Sequence, residues 1–260
     1  MSPPVAIVTG ANGAIGAASA RRLVEDGWRV ALVGRDASAL EQVASSLGAS
    51  AHVFGADPTD ATRLDAAVAD LTDRLGPPNG LVHAVGSTLL KPAHAVADAD
   101  FDAIIAVNLT SAFYALRAFV RAVPRGSSGS AILFSSAATH IGLVNHEAIA
   151  AAKGGVDGLV TAAAATYATR GIRVNAVAPG LVRSRLTSRL VENESTLRAS
   201  EAMHPLGRVG EAADIAGVVA FLLSPAAEWI TGQHIAVDGG LSSIKLPPAP
   251  SRPTVPRPAA

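Results

Sequence analysis

The sequence predicts a single α/β domain, a doubly wound parallel sheet of seven strands with helices on both faces. Three observations predict it. Seven short runs rich in Val and Ile recur along the chain, and the segments between most of them carry helical periodicity. The strand runs are apolar throughout rather than alternating, as expected where both faces of a sheet are covered. At 260 residues the chain is long enough to bury a sizeable core.

The strands are read in order as VAIVT (5 to 9), RVALVG (29 to 34), AHVFG (51 to 55), GLVHAV (80 to 85), AILFS (131 to 135), IRVNAV (172 to 177) and HIAV (234 to 237). Between the first two, ASARRLVEDG alternates Leu and Val with Arg, Glu and Asp, and Gly27 stands where a helix should end. Strand and helix alternate in this way over residues 1 to 244, so the connections are crossovers and the ligand crevice belongs beyond the carboxyl ends of the strands. From Lys245 the segment KLPPAPSRPTVPRPAA is saturated with proline and cannot extend a sheet, so 245 to 260 is expected to be an extended, disordered tail.

Composition narrows the function classes. The chain is 49% hydrophobic and 16% charged with a formal net charge of zero, so no overall field favours nucleic acid or an anionic membrane. No uninterrupted run of 18 apolar residues suggests a bilayer span. There is no cysteine, which excludes disulfides, thiolate metal ligands and a cysteine nucleophile. No metal site is assigned. A strand-like run beginning at Val5 leaves no room for a charged leader and signal segment, so a cytoplasmic location is the expectation.

The first strand runs into TGANGAIG, residues 9 to 16, and then into a helix. Gly10, Gly13 and Gly16 suit a tight turn, close approach to a pyrophosphate and close helix packing, with Asn12 and Ile15 completing the turn. The position after the first strand and before the first helix is the context a Rossmann-type dinucleotide site requires. The second strand ends in Gly34 and Arg35, where NAD sites usually place a carboxylate. A guanidinium there can chelate a 2'-phosphate, so NADP(H) is favoured over NAD(H), with Asp36 the competing feature.

These motifs continue along the chain with HAVG at 83, VN at 107, FSS at 134, a lysine at 153, APG at 178 and TGQHIAVDGG at 231. As a series the chain resembles the short-chain dehydrogenase/reductase family over roughly residues 3 to 244. The resemblance implies that Asp57 bonds the adenine amino group, Gly86 lies against the adenosine ribose, and Lys153 holds the nicotinamide ribose. Pro179, Gly180 and Val182 would flank the nicotinamide amide, residues 181 to 203 would form a substrate lid, and the chain would assemble as a homo-oligomer, tetramer or dimer. Of the family's catalytic set, the resemblance places Asn108, Ser136 and Lys153 here. The position that should hold the tyrosine is Ile149.

A positioned general acid contributes roughly 10²- to 10⁴-fold, and isoleucine supplies none of it. His146, three residues before Ile149, is the nearest replacement, since imidazole is a suitable acid and base. His140 and Glu147 are further candidates, a water ordered by Lys153 and Asn108 is another, and His83 is read as lying inside the sheet. Tyr114 and Tyr167 are read as structural residues on long helices. The expected activity is an NADP(H)-dependent reductase of a ketone, imine or activated alkene on a bulky small molecule, with proton delivery altered. A non-redox enzyme on the same fold (dehydratase, cyclase or isomerase) and an inactive nucleotide-binding protein are the alternatives.

Overall fold

The computed structural model describes residues 2–247, and the proline-rich tail expected from 245 onward therefore lies mostly outside the described residues; Lys245, Leu246 and Pro247 are exposed and without regular structure. Seven parallel strands form one sheet in the order β3-β2-β1-β4-β5-β6-β7. They are β1 (Val5–Thr9), β2 (Arg29–Gly34), β3 (Ala51–Gly55), β4 (Gly80–His83), β5 (Gly129–Phe134), β6 (Ile172–Pro179) and β7 (His234–Val237). The order reverses between β1 and β4, and there the ends of two strands face one crevice.

Four expected strands match to the residue and three differ at their ends. β4 stops at His83 because its last register partners are Thr9 and Leu133, after which the chain turns across the first glycine turn. β6 runs on to Pro179, since β7 pairs with it as far as Val237. β5 begins two residues earlier than expected, pairing Gly129 with Ile172, and ends at Phe134.

Helices cover both faces. On one side lie α1 (Ala14–Glu25), α2 (Ala37–Leu47) and, late in the chain, α9 (Ala212–Leu223); on the other lie α3 (Ala61–Leu75), α4 (Asp98–Ile105), α5 (Ser111–Ala122) and α6 (Glu147–Tyr167). Their ends are written in the sequence. Asp36 accepts a hydrogen bond from Ala39 N at the start of α2, and Asp60 accepts from Thr62 N and Arg63 N at the start of α3, caps worth about 1 kcal/mol each. α1 closes with Gly27 N donating to Val24 O and Trp28 N to Leu23 O, which requires the positive φ that Gly27 adopts.

The core divides at the sheet. Ile7, Leu71, Leu116, Phe119 and Val156 fill one side, and Leu23, Leu32, Ile132, Ile215 and Leu223 the other. Burial of each such side chain contributes about 1.5–3 kcal/mol. A third, smaller cluster of Ile104, Ala148, Ile149 and Ala152, with Leu89 and Ile105 against it, sits beside the site described below. The helical stretches 98–122 and 147–170 are long and apolar enough to cross a membrane by length and composition, but about half of each is buried within the fold. Tyr114 and Tyr167 pack against the core, with Arg117 and Arg170 respectively over their rings.

Candidate active site

The glycine turn is built for close approach. Gly10 has φ +71° and its amide donates to Val33 O at 2.9 Å. A side chain there would lie 2.7 Å from Ala84 O. One at Gly16 would collide with Gly10 O and Ala11 Cα, so any larger residue would push α1 off the sheet. Gly13 is the N-cap of α1 and supplies no side chain to it, and the first turn carries no acid. The first amide protons of α1 thus have neither intrahelical partners nor a protein cap, and they end in a positive partial charge. This cradle fits a pyrophosphate. Asn12 and Ile15 line it half-buried, Ile15 leaning on the core.

At the end of β2, Arg35 is exposed and makes no hydrogen bond or ion pair among the described residues. Asp36 is exposed and caps α2 through one carboxylate oxygen, accepting from Ala39 N at 3.0 Å. Asp57 accepts from Thr59 N and Oγ1 through one oxygen. Burial opposes its charge, but those two bonds, with Arg35 and Arg63 beyond, hold its carboxyl below the usual range.

The strand ends bring a second group of residues together. Ala84 and Val85 lie against Gly10, and Gly86 follows them into the crevice. A methyl group at Gly86 would stand 3.3 Å from Asn108 Oδ1 and 3.8 Å from Lys153 Nζ, so two buried polar heads converge on this one glycine. Asn108 lies in a π-helical stretch, Ala106–Thr110, that joins α4 to α5. That local widening turns Asn108 inward, where Nδ2 donates to Ile104 O and Ser87 Oγ and Oδ1 accepts from Ser87 N.

Lys153 is 7% exposed and donates from Nζ to Phe134 O at 2.8 Å. Burial lowers its pKa to about 8, against the partial compensation of Asp157 one turn further along α6. Ser136 follows β5, half-buried, and accepts from Ala138 N at the start of a short turn, Ala137–Thr139. Its hydroxyl proton remains to be donated. Ile149 is 6% exposed within the apolar cluster of Ile104, Ala148, Ala152 and Leu89.

His146 is the N-cap residue of α6 rather than a member of the helix, half-buried, with Nδ1 against Val144 O at 2.8 Å. Neither it nor Ser136 hydrogen-bonds to Lys153 or Asn108 among the described residues. Glu147 is exposed at the first turn of α6 and lines a cavity of about 350 Å³ with Ala93, Val96, Phe101 and Ala148. His140 is exposed.

His83 lies fully inside the fold. Its Nε2 faces Ser111 Oγ, whose proton goes to Val107 O, and Nδ1 faces Thr9 Oγ1 at 2.7 Å. The ring therefore donates through Nε2 and accepts through Nδ1. Burial, with the charge of Lys153, lowers its pKa to about 3, and it is neutral and structural.

Pro179 ends β6, Gly180 N donates to Val237 O, and a side chain at Gly180 would meet His204 Nε2 at 2.8 Å. Val182 is buried and bridged to Gly210. Residues 181–203 fold into a turn (Arg185–Thr187) and two helices, α7 (Ser188–Val191) and α8 (Glu194–Met203). Arg183 pairs with Glu211 at 3.1 Å, while Arg185 and Arg189 are exposed.

Sequence reading missed two anchors here. His204 is buried, donates from Nδ1 to Ser200 O and accepts from Leu181 N, which ties α8 to the loop after β6. Ser87 holds both ends of the Asn108 amide. Adjacency to Gly86 could have flagged Ser87, whereas nothing near His204 in the sequence marks it.

A family profile described as enoyl-(acyl carrier protein) reductase matches residues 10–242. The chain belongs to the short-chain dehydrogenase/reductase family. Among relatives in that family, galactitol 2-dehydrogenase (L-tagatose-forming) of Cereibacter sphaeroides is 40% identical over 241 residues, covering 90% of this chain and 93% of that one. An inactive 2-(S)-hydroxypropyl-CoM dehydrogenase 2 of Xanthobacter autotrophicus is 38% identical over 229 residues, 86% of this chain and 100% of that one. The crystal structure of an actinorhodin polyketide ketoreductase variant with NADPH superposes with a TM-score of 0.87 at 29% identity, covering 93% of this chain and 98% of that one. Short-chain dehydrogenase/reductase relatives act on small molecules by oxidation or reduction, and a nicotinamide dinucleotide suits the cradle described above.

Proposed function

We propose that this short-chain dehydrogenase/reductase is an NADP(H)-dependent reductase of a ketone, imine or activated alkene on a bulky small molecule, with proton delivery altered. One observation carries the reading: the glycine turn abuts the strand end whose Gly86 meets both Asn108 and the buried Lys153. Binding and catalytic elements thus form one contiguous surface even though Ile149 replaces the expected phenol.

The nicotinamide, when bound, supplies the hydride. The first amides of α1 would hold the pyrophosphate, and Arg35, exposed and free of protein partners among the described residues, would chelate a 2'-phosphate. Asp57 takes the adenine end with the carboxylate oxygen that Thr59 leaves open. Lys153 and Asn108 hold the nicotinamide ribose and a water beside it. Ser136 donates its hydroxyl proton to the substrate oxygen as charge develops there, the kind of aimed donor worth roughly 3 kcal/mol in a dry site. His146 would deliver the proton as the imidazolium, with Nδ1–H donating to Val144 O and Nε2–H passing its proton to the substrate, which leaves the neutral Nδ1–H ring behind. Leu89 and Ile149 make the wall beside the reacting centre apolar.

A second reading, a nucleotide-binding protein without turnover, is favoured by the burial of Ile149 in an apolar cluster where a hydroxyl would be needed. Fluorescence titration with NADPH and NADH, followed by loss of NADPH absorbance over a panel of quinones, polycyclic ketones, imines and enones, separates the two. Binding with turnover supports the reductase; binding with no turnover across the panel supports the second reading; absence of binding overturns both.

A further inference from the structure

Away from the nucleotide cradle, His140, Asp157 and His234 place one ligand atom each within 4.8 Å of one another. They come from three elements: the loop after β5, the middle of α6 and the first residue of β7. The inner pair is informative. His234 Nδ1 lies 3.4 Å from Asp157 Oδ1, yet that oxygen is buried and has no hydrogen-bond partner. The two atoms are near without being aimed at each other. Two ligands on one tetrahedral zinc ion, with bonds of about 2.0–2.1 Å, stand about 3.3 Å apart.

The surroundings fix the chemistry further. Thr161 Oγ1 donates to Asp157 O, so at its 3.2 Å contact with His234 Nε2 it accepts, and the imidazole carries its proton on Nε2. Nδ1 is then the ring atom left to share a third partner with Asp157 Oδ1, 3.4 Å away and without a hydrogen bond. A metal ion held between the two atoms would satisfy both. Lys153, one turn away on α6, donates to Phe134 O and makes no hydrogen bond or ion pair with Asp157 among the described residues. The Thr161 contact is also the outer hydrogen bond that orients a metal-ligating histidine. His140 is exposed and free to swing the remaining distance.

We infer that His140, Asp157 and His234 form a binding site for a divalent transition-metal ion of the zinc type, with the fourth position open to water. Two nitrogens and one carboxylate oxygen suit zinc better than calcium or magnesium, which favour oxygen ligands alone. The site would clamp the active-site turn, since His140 follows Ser136 by four residues and Asp157 follows Lys153 by four. It holds whether or not the chain transfers hydride. The ligands are 17 and 77 residues apart in sequence, which is why no metal-ligand spacing appears there.

The test is calorimetric titration of the untagged full chain, freed of metal by chelator and dialysis, with zinc sulfate, supported by cobalt substitution read in the visible spectrum. The expected result is one equivalent bound, intense tetrahedral cobalt bands, and a higher melting temperature with zinc. Asp157→Asn, His234→Gln and His140→Ala should each weaken binding by at least about tenfold and remove the cobalt bands. No stoichiometric binding would overturn the site, as would unchanged binding in these variants, which would assign the metal to other histidines. An imidazolium paired with Asp157 would give that first outcome. Should Asp157→Asn melt early in chelator, the exposed His140→Ala, which leaves the core intact, decides alone.

Discussion

The ammonium of Lys153 is buried and donates to the carbonyl oxygen of Phe134 at 2.8 Å, anchoring α6 to the end of β5. Unfolded, a lysine holds its proton to about 10.5; in the fold burial lowers Lys153 to about 8. Between those values the unfolded chain binds more protons, so stability rises with pH across this window, while below pH 8 the cost of the buried charge is present in full. Urea unfolding from pH 7 to 10.5 should show a gain of at most about 3 kcal/mol that Lys153→Met lacks. Taking the difference between the two proteins isolates the contribution of Lys153. A difference that stays flat with pH contradicts the burial of a charged lysine. The same variant should bind NADPH at least about tenfold more weakly, since it removes the hydrogen bonds from the charged group.

Replacing Ile149 by tyrosine tests whether proton delivery limits turnover. The side chain would have to extend past Leu89 and Ile104, so a loss of about 1–3 kcal/mol in stability is expected from overpacking. Against a ketone substrate, kcat should nevertheless rise at least about tenfold with NADPH affinity unchanged. A folded Ile149→Tyr protein with unaltered kcat would mean that another step limits the rate.

His146→Ala should lower turnover at least about tenfold if the imidazole delivers the proton. Its side chain makes no capping bond to α6, so the melting temperature and NADPH titration should match the parent. Unchanged kinetics would move the role to the water held by Lys153 and Asn108.

Arg35→Ala addresses cofactor choice. Arg35 is exposed and bonds to nothing in the protein among the described residues, so stability should change by less than about 0.5 kcal/mol. Its loss should weaken NADPH binding about tenfold or more, the value of a charge-assisted hydrogen bond, and leave NADH within about twofold. Equal effects on both dinucleotides would remove the 2'-phosphate contact.

Much of the fold was legible because its signals are local. Val- and Ile-rich runs, and Gly27 behind the helical stretch that follows the first strand, each act within a few residues, and crossover geometry then restricts how the strands can be ordered. The glycine turn was legible for the same reason, its spacing being set by contact between neighbouring residues. The site was only partly so. Sequence could place Asn108, Ser136, Lys153 and Ile149 in register with the family it resembles, but not say that Ser87 grips the Asn108 amide or that His204 ties α8 to the loop after β6.

By itself, then, the amino-acid order determined where the strands run, that a glycine turn joins the first strand to the first helix, and that position 149 carries a hydrocarbon. Only the tertiary structure decided that Asp36 caps α2, that Ile149 is buried in an apolar cluster, and that His140, Asp157 and His234 bring ligand atoms within 4.8 Å of one another. The physical reason is range: periodicity and capping are written within a turn or two of chain, whereas burial and the meeting of polar atoms depend on which distant segments the sheet brings side by side.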